Sequence, residues 1–85
     1  MRDLLVTPQF ERDIRRLPNG VRDELDLIIN QLRMNPTDRS LDAKKLQGVK
    51  PATWRVRVGR YRLLYTNDTA SIIILRAAHR KNIYR

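Results

Sequence analysis

The sequence has no cysteine and one histidine. Disulfide scaffolds, Cys-ligated zinc, thiol nucleophiles and His-rich metal sites are therefore removed together, and no cofactor or metal is expected. Small secreted domains more often carry bridges, so the expected compartment is the cytoplasm. Long apolar runs are missing as well: the longest covers the four residues 72–75. The first eight residues are too charged and too short in apolar run for a signal peptide, so no membrane partner is expected. No internal repeat, low-complexity tract or linker is visible. Acids are almost absent from the second half, where Asp68 is the one carboxylate after Asp42.

The chain has 85 residues and a mass of 10.1 kDa, one domain spanning 1–85, with 41% apolar residues for a thin core. The net charge of +9 points to a polyanionic partner rather than a metabolite pocket. That charge is unevenly placed. Residues 1–42 hold seven Arg against eight acids, a net of −1, whereas residues 43–85 hold eleven Lys plus Arg against one acid, a net of +10. The first half reads as scaffold and the second as the binding half.

Residues 4–6 read as a short strand, and Thr7-Pro8 as an N-cap with Pro in the first helical turn. Phe10, Ile14 and Leu17 recur on one helical face, predicting a helix of about three turns. Pro18-Asn19-Gly20 breaks it, and Val21, Leu25, Ile28, Ile29 and Leu32 form a second stripe that stops at Asn35-Pro36. A helix-turn-helix DNA reader is the sharp alternative for this hairpin. Its recognition helix should be basic, yet residues 19–34 carry Arg22 and Arg33 against Asp23, Glu24 and Asp26.

After a polar loop over residues 37–42, the period changes. Residues 53–58 alternate strictly, Gly59-Arg60 suits a two-residue hairpin turn, and residues 61–65 return. That register pairs Val58 with Tyr61, Arg57 with Arg62, Val56 with Leu63 and Arg55 with Leu64. Arg55, Arg57 and Arg62 then share one face, with Trp54, Val56, Val58, Tyr61, Leu63 and Tyr65 on the core face. Residues 71–77 are apolar on both sides and read as a central strand. It returns its C-terminal end beside Arg62, so Arg55, Arg57, Arg62, Arg80 and Tyr84 can converge on one patch. Like charges opposed on paired strands repel. The bland reading of the patch is a solvated basic sheet face; the functional one is a phosphate-binding concavity, for which bidentate guanidinium groups are suited.

Lys45-Leu46-Gln47-Gly48, the R-x-R-x-G-x-Y-R run over residues 55–62 and the closing His79-Arg80-Lys81-Asn82-Ile83-Tyr84-Arg85 resemble the RelE/ParE toxin superfamily, on the RelE side. The likeness covers the full chain. It implies an α+β fold: an N-terminal strand, a helical hairpin and a three-stranded antiparallel meander, with the helices on one face of a single sheet. It also implies a toxin of a type II toxin-antitoxin pair and, for RelE-like members, endonucleolytic cutting of mRNA in the ribosomal A site without metal. The implied partners are a cognate acidic antitoxin, mRNA and the ribosome.

Carried over by position, the family's functional residues fall on Arg55, Arg57, Arg62, Arg80 and Tyr84. The implied reaction is attack of a ribose 2′-OH on the adjacent phosphate, giving a 2′,3′-cyclic phosphate and a 5′-OH. Some relatives carry lysine where this chain has Arg55 and Arg57, and a guanidinium does not give up its proton to serve as a base. Tyr84, whose phenolate neighbouring cations favour, and His79 are the candidates for proton transfer. Lys44, Lys45, Lys50, His79 and Lys81 are candidate RNA contacts. Two other readings stay open: a ParE-like inhibitor of DNA gyrase, and a non-catalytic RNA- or ribosome-binding module.

Overall fold

The computed structural model describes residues 1–83. Strand β1 (Asp3–Val6) leads into Thr7, which caps helix α1 (Pro8–Ile14) by accepting the Phe10 N–H on its hydroxyl at 3.0 Å. The helix is shorter than the apolar spacing predicts. Residues 15–17 close instead with tighter bonds, from Arg16 N–H to the Asp13 carbonyl at 3.0 Å and from Leu17 N–H to the Ile14 carbonyl at 3.3 Å. Pro18 disfavours helical backbone at the residue before it, and the tightened turn still buries Leu17. Helix α2 (Asn19–Met34) begins directly after Pro18 and ends at Asn35, burying Leu25, Ile29 and Leu32. The polar loop contains a 3-10 turn (Arg39–Leu41), capped by the Asp38 carboxylate on Ser40 N–H at 2.9 Å.

Strands β2 (Lys44–Lys45), β3 (Thr53–Val58), β4 (Tyr61–Asn67) and β5 (Ser71–His79) join β1 in a five-stranded sheet of order β1-β5-β4-β3-β2. The β3–β4–β5 meander is antiparallel and β1 runs parallel to β5. All four predicted hairpin pairs are present, Arg57 opposite Arg62 among them. Strand β2 was not anticipated, because two residues show no period. Both helices pack on one face, where Phe10, Leu17, Leu25, Ile29 and Leu32 meet Val56, Leu63, Tyr65, Ile72 and Ile74. Burial pushes the Tyr65 phenol up to about 12, so it stays neutral under physiological conditions. Trp54 and Tyr61 only flank this core, half-buried. Trp54 stands near the periphery, beside the two-residue β2, where less of its ring can be covered.

A bulge at Leu64/Tyr65 shifts the β4–β5 register, pairing Leu64 with Arg76 and Tyr65 with Ile74. Strand β1 pairs with β5 only over Ser71–Ile74, and beyond that point α1 serves the edge of β5. Thr7 donates from its N–H to the Ile74 carbonyl at 3.1 Å and from its hydroxyl to the Leu75 carbonyl at 2.7 Å. Asp13 accepts the Ala77 N–H at 3.0 Å. Both ends of the helix thus meet backbone groups that would otherwise lack partners.

Gly59 turns the β3–β4 hairpin at φ 60°, whereas Gly20 lies in the first turn of α2 outside the left-handed region; both have open space where a Cβ would stand. Gly59→Ala should therefore cost about 1 kcal/mol from backbone strain alone, and Gly20→Ala should stabilise by about 0.4–1 kcal/mol. Denaturant midpoints check both signs; a neutral Gly59→Ala would contradict the turn geometry.

Candidate functional site

The face of the sheet opposite the helices is where the cations gather. Lys44 lies directly opposite Arg55, and Arg57 directly opposite Arg62, so each pair projects to the same side. Alternation along β3 puts Arg55 and Arg57 on that side together. Arg80 extends the ladder, its N–H donating to the Arg60 carbonyl at 2.8 Å. Alternation from Arg62 and Ala78 carries Arg80 to the same face. Arg57 and Arg80 are exposed, while Arg55 and Arg62 are half-buried.

Arg62 is oriented by its own hairpin. Its Nη1 donates to the Gly59 carbonyl at 2.9 Å and to the Tyr61 carbonyl at 2.8 Å. Among the described residues the buried Arg55 Nε has no hydrogen-bond partner. None of strands β2 to β5 contains an acid. Asp68 is engaged in the β4–β5 turn, where it accepts from Ala70 N–H at 2.8 Å and Ser71 N–H at 2.7 Å. Six strand steps separate it from Arg62, roughly 20 Å at the usual rise. At physiological salt that distance is largely screened, so Asp68 does not neutralise the face.

The remaining predicted residues are placed differently. Lys45 pairs with Trp54 and so takes the opposite side from Lys44. With Lys50 it lines a cavity of about 540 Å³ formed by residues 45–50 and Ala52. His79 pairs with Tyr61, on the helix side, and their rings meet edge to face at a centroid distance of 5.4 Å. Its Nδ1 accepts the Lys81 N–H at 3.2 Å; the Lys81 side chain is exposed. Tyr84 lies outside the described residues. Among the described residues no group of three or more metal-ligating side chains occurs, and no helix is long and apolar enough to cross a membrane.

Asp13 and Arg76 were missing from the sequence reading. Asp13 is 5% exposed, and its carboxylate accepts Arg76 Nη2 at 3.1 Å, Arg76 Nε at 3.2 Å and Gln9 Nε2 at 2.9 Å. Burial pushes this carboxyl up, but hydrogen bonds from Arg76, Gln9 and the Ala77 N–H, with the Arg76 charge, outweigh burial and hold it below its ordinary value. Arg76 Nη1 also donates to the Ile83 carbonyl at 3.3 Å. The signal available in the sequence was Arg76 itself, a lone charge in an otherwise apolar strand, which calls for a partner.

The sequence and the fold have clear relatives. The family model described as the ParE toxin of type II toxin-antitoxin systems matches residues 4–84. Toxin RelE3 of Methanocaldococcus jannaschii is 34% identical over 83 residues, covering 95% of this chain and 93% of that protein. The RelB-RelE antitoxin-toxin complex from Methanococcus jannaschii contains a chain that superimposes with a TM-score of 0.81 at 32% identity, covering 94% of each chain. A chain of the toxin-antitoxin complex RelBE2 from Mycobacterium tuberculosis follows at a TM-score of 0.73 and 28% identity, over 92% of this chain and 96% of that one. With its helices on one side of the sheet and its cations on the other, this chain belongs to the RelE/ParE superfamily of type II toxin-antitoxin toxins, on its RelE-like branch.

Proposed function

We propose that this protein is a toxin that cuts mRNA on its cationic sheet face, in the ribosomal A site, and so stops translation. The observation that carries this reading is the opposed pair Arg57 and Arg62, flanked by Arg55 and Lys44, on a face where strands β2 to β5 contain no acid. Opposed like charges cost a few tenths of a kcal/mol. A bound phosphate turns that cost into affinity.

The reaction forms a bond from the ribose 2′-oxygen to the adjacent phosphorus and breaks the bond to the 5′-oxygen, which takes a proton from solvent, leaving a 2′,3′-cyclic phosphate and a 5′-OH. The non-bridging oxygens of that phosphate carry extra negative charge in the transition state. Arg62, already fixed by two carbonyls, supplies fixed positive charge there, and Arg80 and Arg57 stand on the same side to share it. Arg55, on the same side of β3 as Arg57, adds a further guanidinium for a phosphate oxygen. Tyr84 is the proposed base for the 2′-OH. His79 is less suited, because the register turns it toward Tyr61 and the helices. Lys44, Lys45, Lys50 and Lys81 are assigned to the RNA backbone. A cognate acidic antitoxin is the proposed regulatory partner, since a +10 half-chain gives such a chain a complementary surface.

Binding of RNA oligonucleotides across a salt series tests the phosphate contacts. Four of them give a slope of about −3 in log affinity against log salt for a single strand. Arg57→Ala is expected to reduce that slope by about 0.7. A flat response would contradict the proposal. The description of the matching family as ParE keeps one second reading, inhibition of DNA gyrase. Growth arrest with DNA breaks and intact mRNA would select it.

A further inference from the structure

Asp13 and Arg76 join α1, the bulged part of β5 and the chain's C-terminal segment at one point. Asp13 on α1 fixes two nitrogens of the Arg76 guanidinium and also accepts the N–H of Ala77, the next residue of β5. The remaining terminal nitrogen, Nη1, donates to the Ile83 carbonyl. That carbonyl belongs to the peptide bond that leads into Tyr84. The segment before it is a tight turn: Asn82 N–H and Ile83 N–H both donate to the His79 carbonyl, at 2.8 and 3.1 Å. Ile83 is buried, at 2% exposure.

We infer that the Asp13–Arg76 pair is a positioning device for the reaction: Asp13 aims Arg76, and Arg76 holds the Ile83 carbonyl and with it the segment running from Arg80 toward Tyr84. This rests on the proposed RNA cleavage, and neither residue touches substrate. A guanidinium is needed because its fork serves a carboxylate and a carbonyl at once in fixed geometry. Lysine keeps the charge beside Asp13 and loses the fork. Misplacing a reacting group by about 1 Å costs about 100-fold in rate, so a modest shift of this segment is enough to matter.

The test is Arg76→Lys, which leaves the buried carboxylate with a cation and so protects the fold; Arg76→Gln, which removes that cation, serves as the control for general destabilisation, in which exchange rises in the core as well. Amide hydrogen exchange in the intact protein reads the segment without any RNA. In Arg76→Lys, exchange at Asn82 and Ile83 is expected to accelerate at least about tenfold, with Leu63 and Ile74 in the core unchanged, a split that general destabilisation does not produce. In single-turnover RNA cleavage Arg76→Lys should lose about 10- to 100-fold in maximal rate with unchanged RNA affinity. Combined with Tyr84→Phe, the losses should not multiply. Unchanged exchange at Asn82 and Ile83, or accelerated exchange with a normal maximal rate, overturns the inference. Should the wild type fail to cleave RNA, the proposed function falls by that result, and the exchange experiment alone still decides whether Arg76 holds the segment.

Discussion

Arg62→Ala is expected to lower the rate of RNA cleavage by about 100- to 1,000-fold, the usual loss when one fixed charge-stabilising donor is removed from a reacting phosphate or acyl centre. Its effect on stability should stay under about 2 kcal/mol. The substitution loses bonds to the Gly59 and Tyr61 carbonyls, each worth about 1 kcal/mol or less net at a half-exposed site. It also relieves the repulsion with Arg57, directly opposite. Arg62→Lys retains the charge but not the planar fork, and should fall between wild type and Arg62→Ala. Single-turnover cleavage at saturating protein, set beside a denaturant titration, separates the two effects. A variant that unfolds while keeping its specific activity would reverse the assignment and make Arg62 a structural residue of the hairpin.

The opposite profile is expected at Asp13. Asp13→Ala leaves the Arg76 guanidinium, itself 23% exposed, and the Ala77 N–H without their carboxylate partner, which places the cost toward the lower end of the about 3–5 kcal/mol for breaking one side of a buried ion pair. A domain of this length has a total stability of roughly 4–13 kcal/mol, so the loss removes from about a quarter to all of it. The pH dependence follows from the same bonds. The folded-state carboxyl is held below its ordinary value of 3.8, so the stabilisation is fully present above the unfolded-state value and is lost as pH falls through the lower folded-state value. Guanidinium midpoints measured from pH 7 to pH 2 should fall steeply below about pH 4 in the wild type. Asp13→Asn should be less stable at neutral pH and should show a shallower acid loss. Parallel curves for the two proteins would contradict the role given to this carboxylate.

The hairpin was legible because period 2 is strict over residues 53–58 and the Gly59-Arg60 turn has a fixed length. One alternation therefore set four cross-strand pairs and the arginine face with them. Trp54 was legible as core-facing but not as half-buried, since alternation gives direction and says nothing of how far a neighbour extends to cover the ring. Lys44 entered the cationic face through a two-residue strand, too short to carry a pattern. Its pairing with Arg55 depends on the loop of residues 46–52 returning to the right place, which is tertiary information. Asp13 and Arg76 stand 63 residues apart, and nothing local links them. On the helix Asp13 sits between exposed charges and the apolar stripe, a position equally suited to solvent. The β4–β5 bulge was likewise hidden, because an extra residue in a strand apolar on both faces leaves no break in its pattern.

The most direct test is to incubate the purified protein with translating ribosomes on a defined mRNA and map the RNA ends chemically. Cuts confined to the A-site codon, with a 2′,3′-cyclic phosphate on the upstream fragment and a 5′-OH on the downstream one, and absent with Arg62→Ala, are the expected result. Intact mRNA under conditions where the same preparation arrests growth and leaves DNA breaks in cells would contradict the assignment of the cationic face to RNA cleavage.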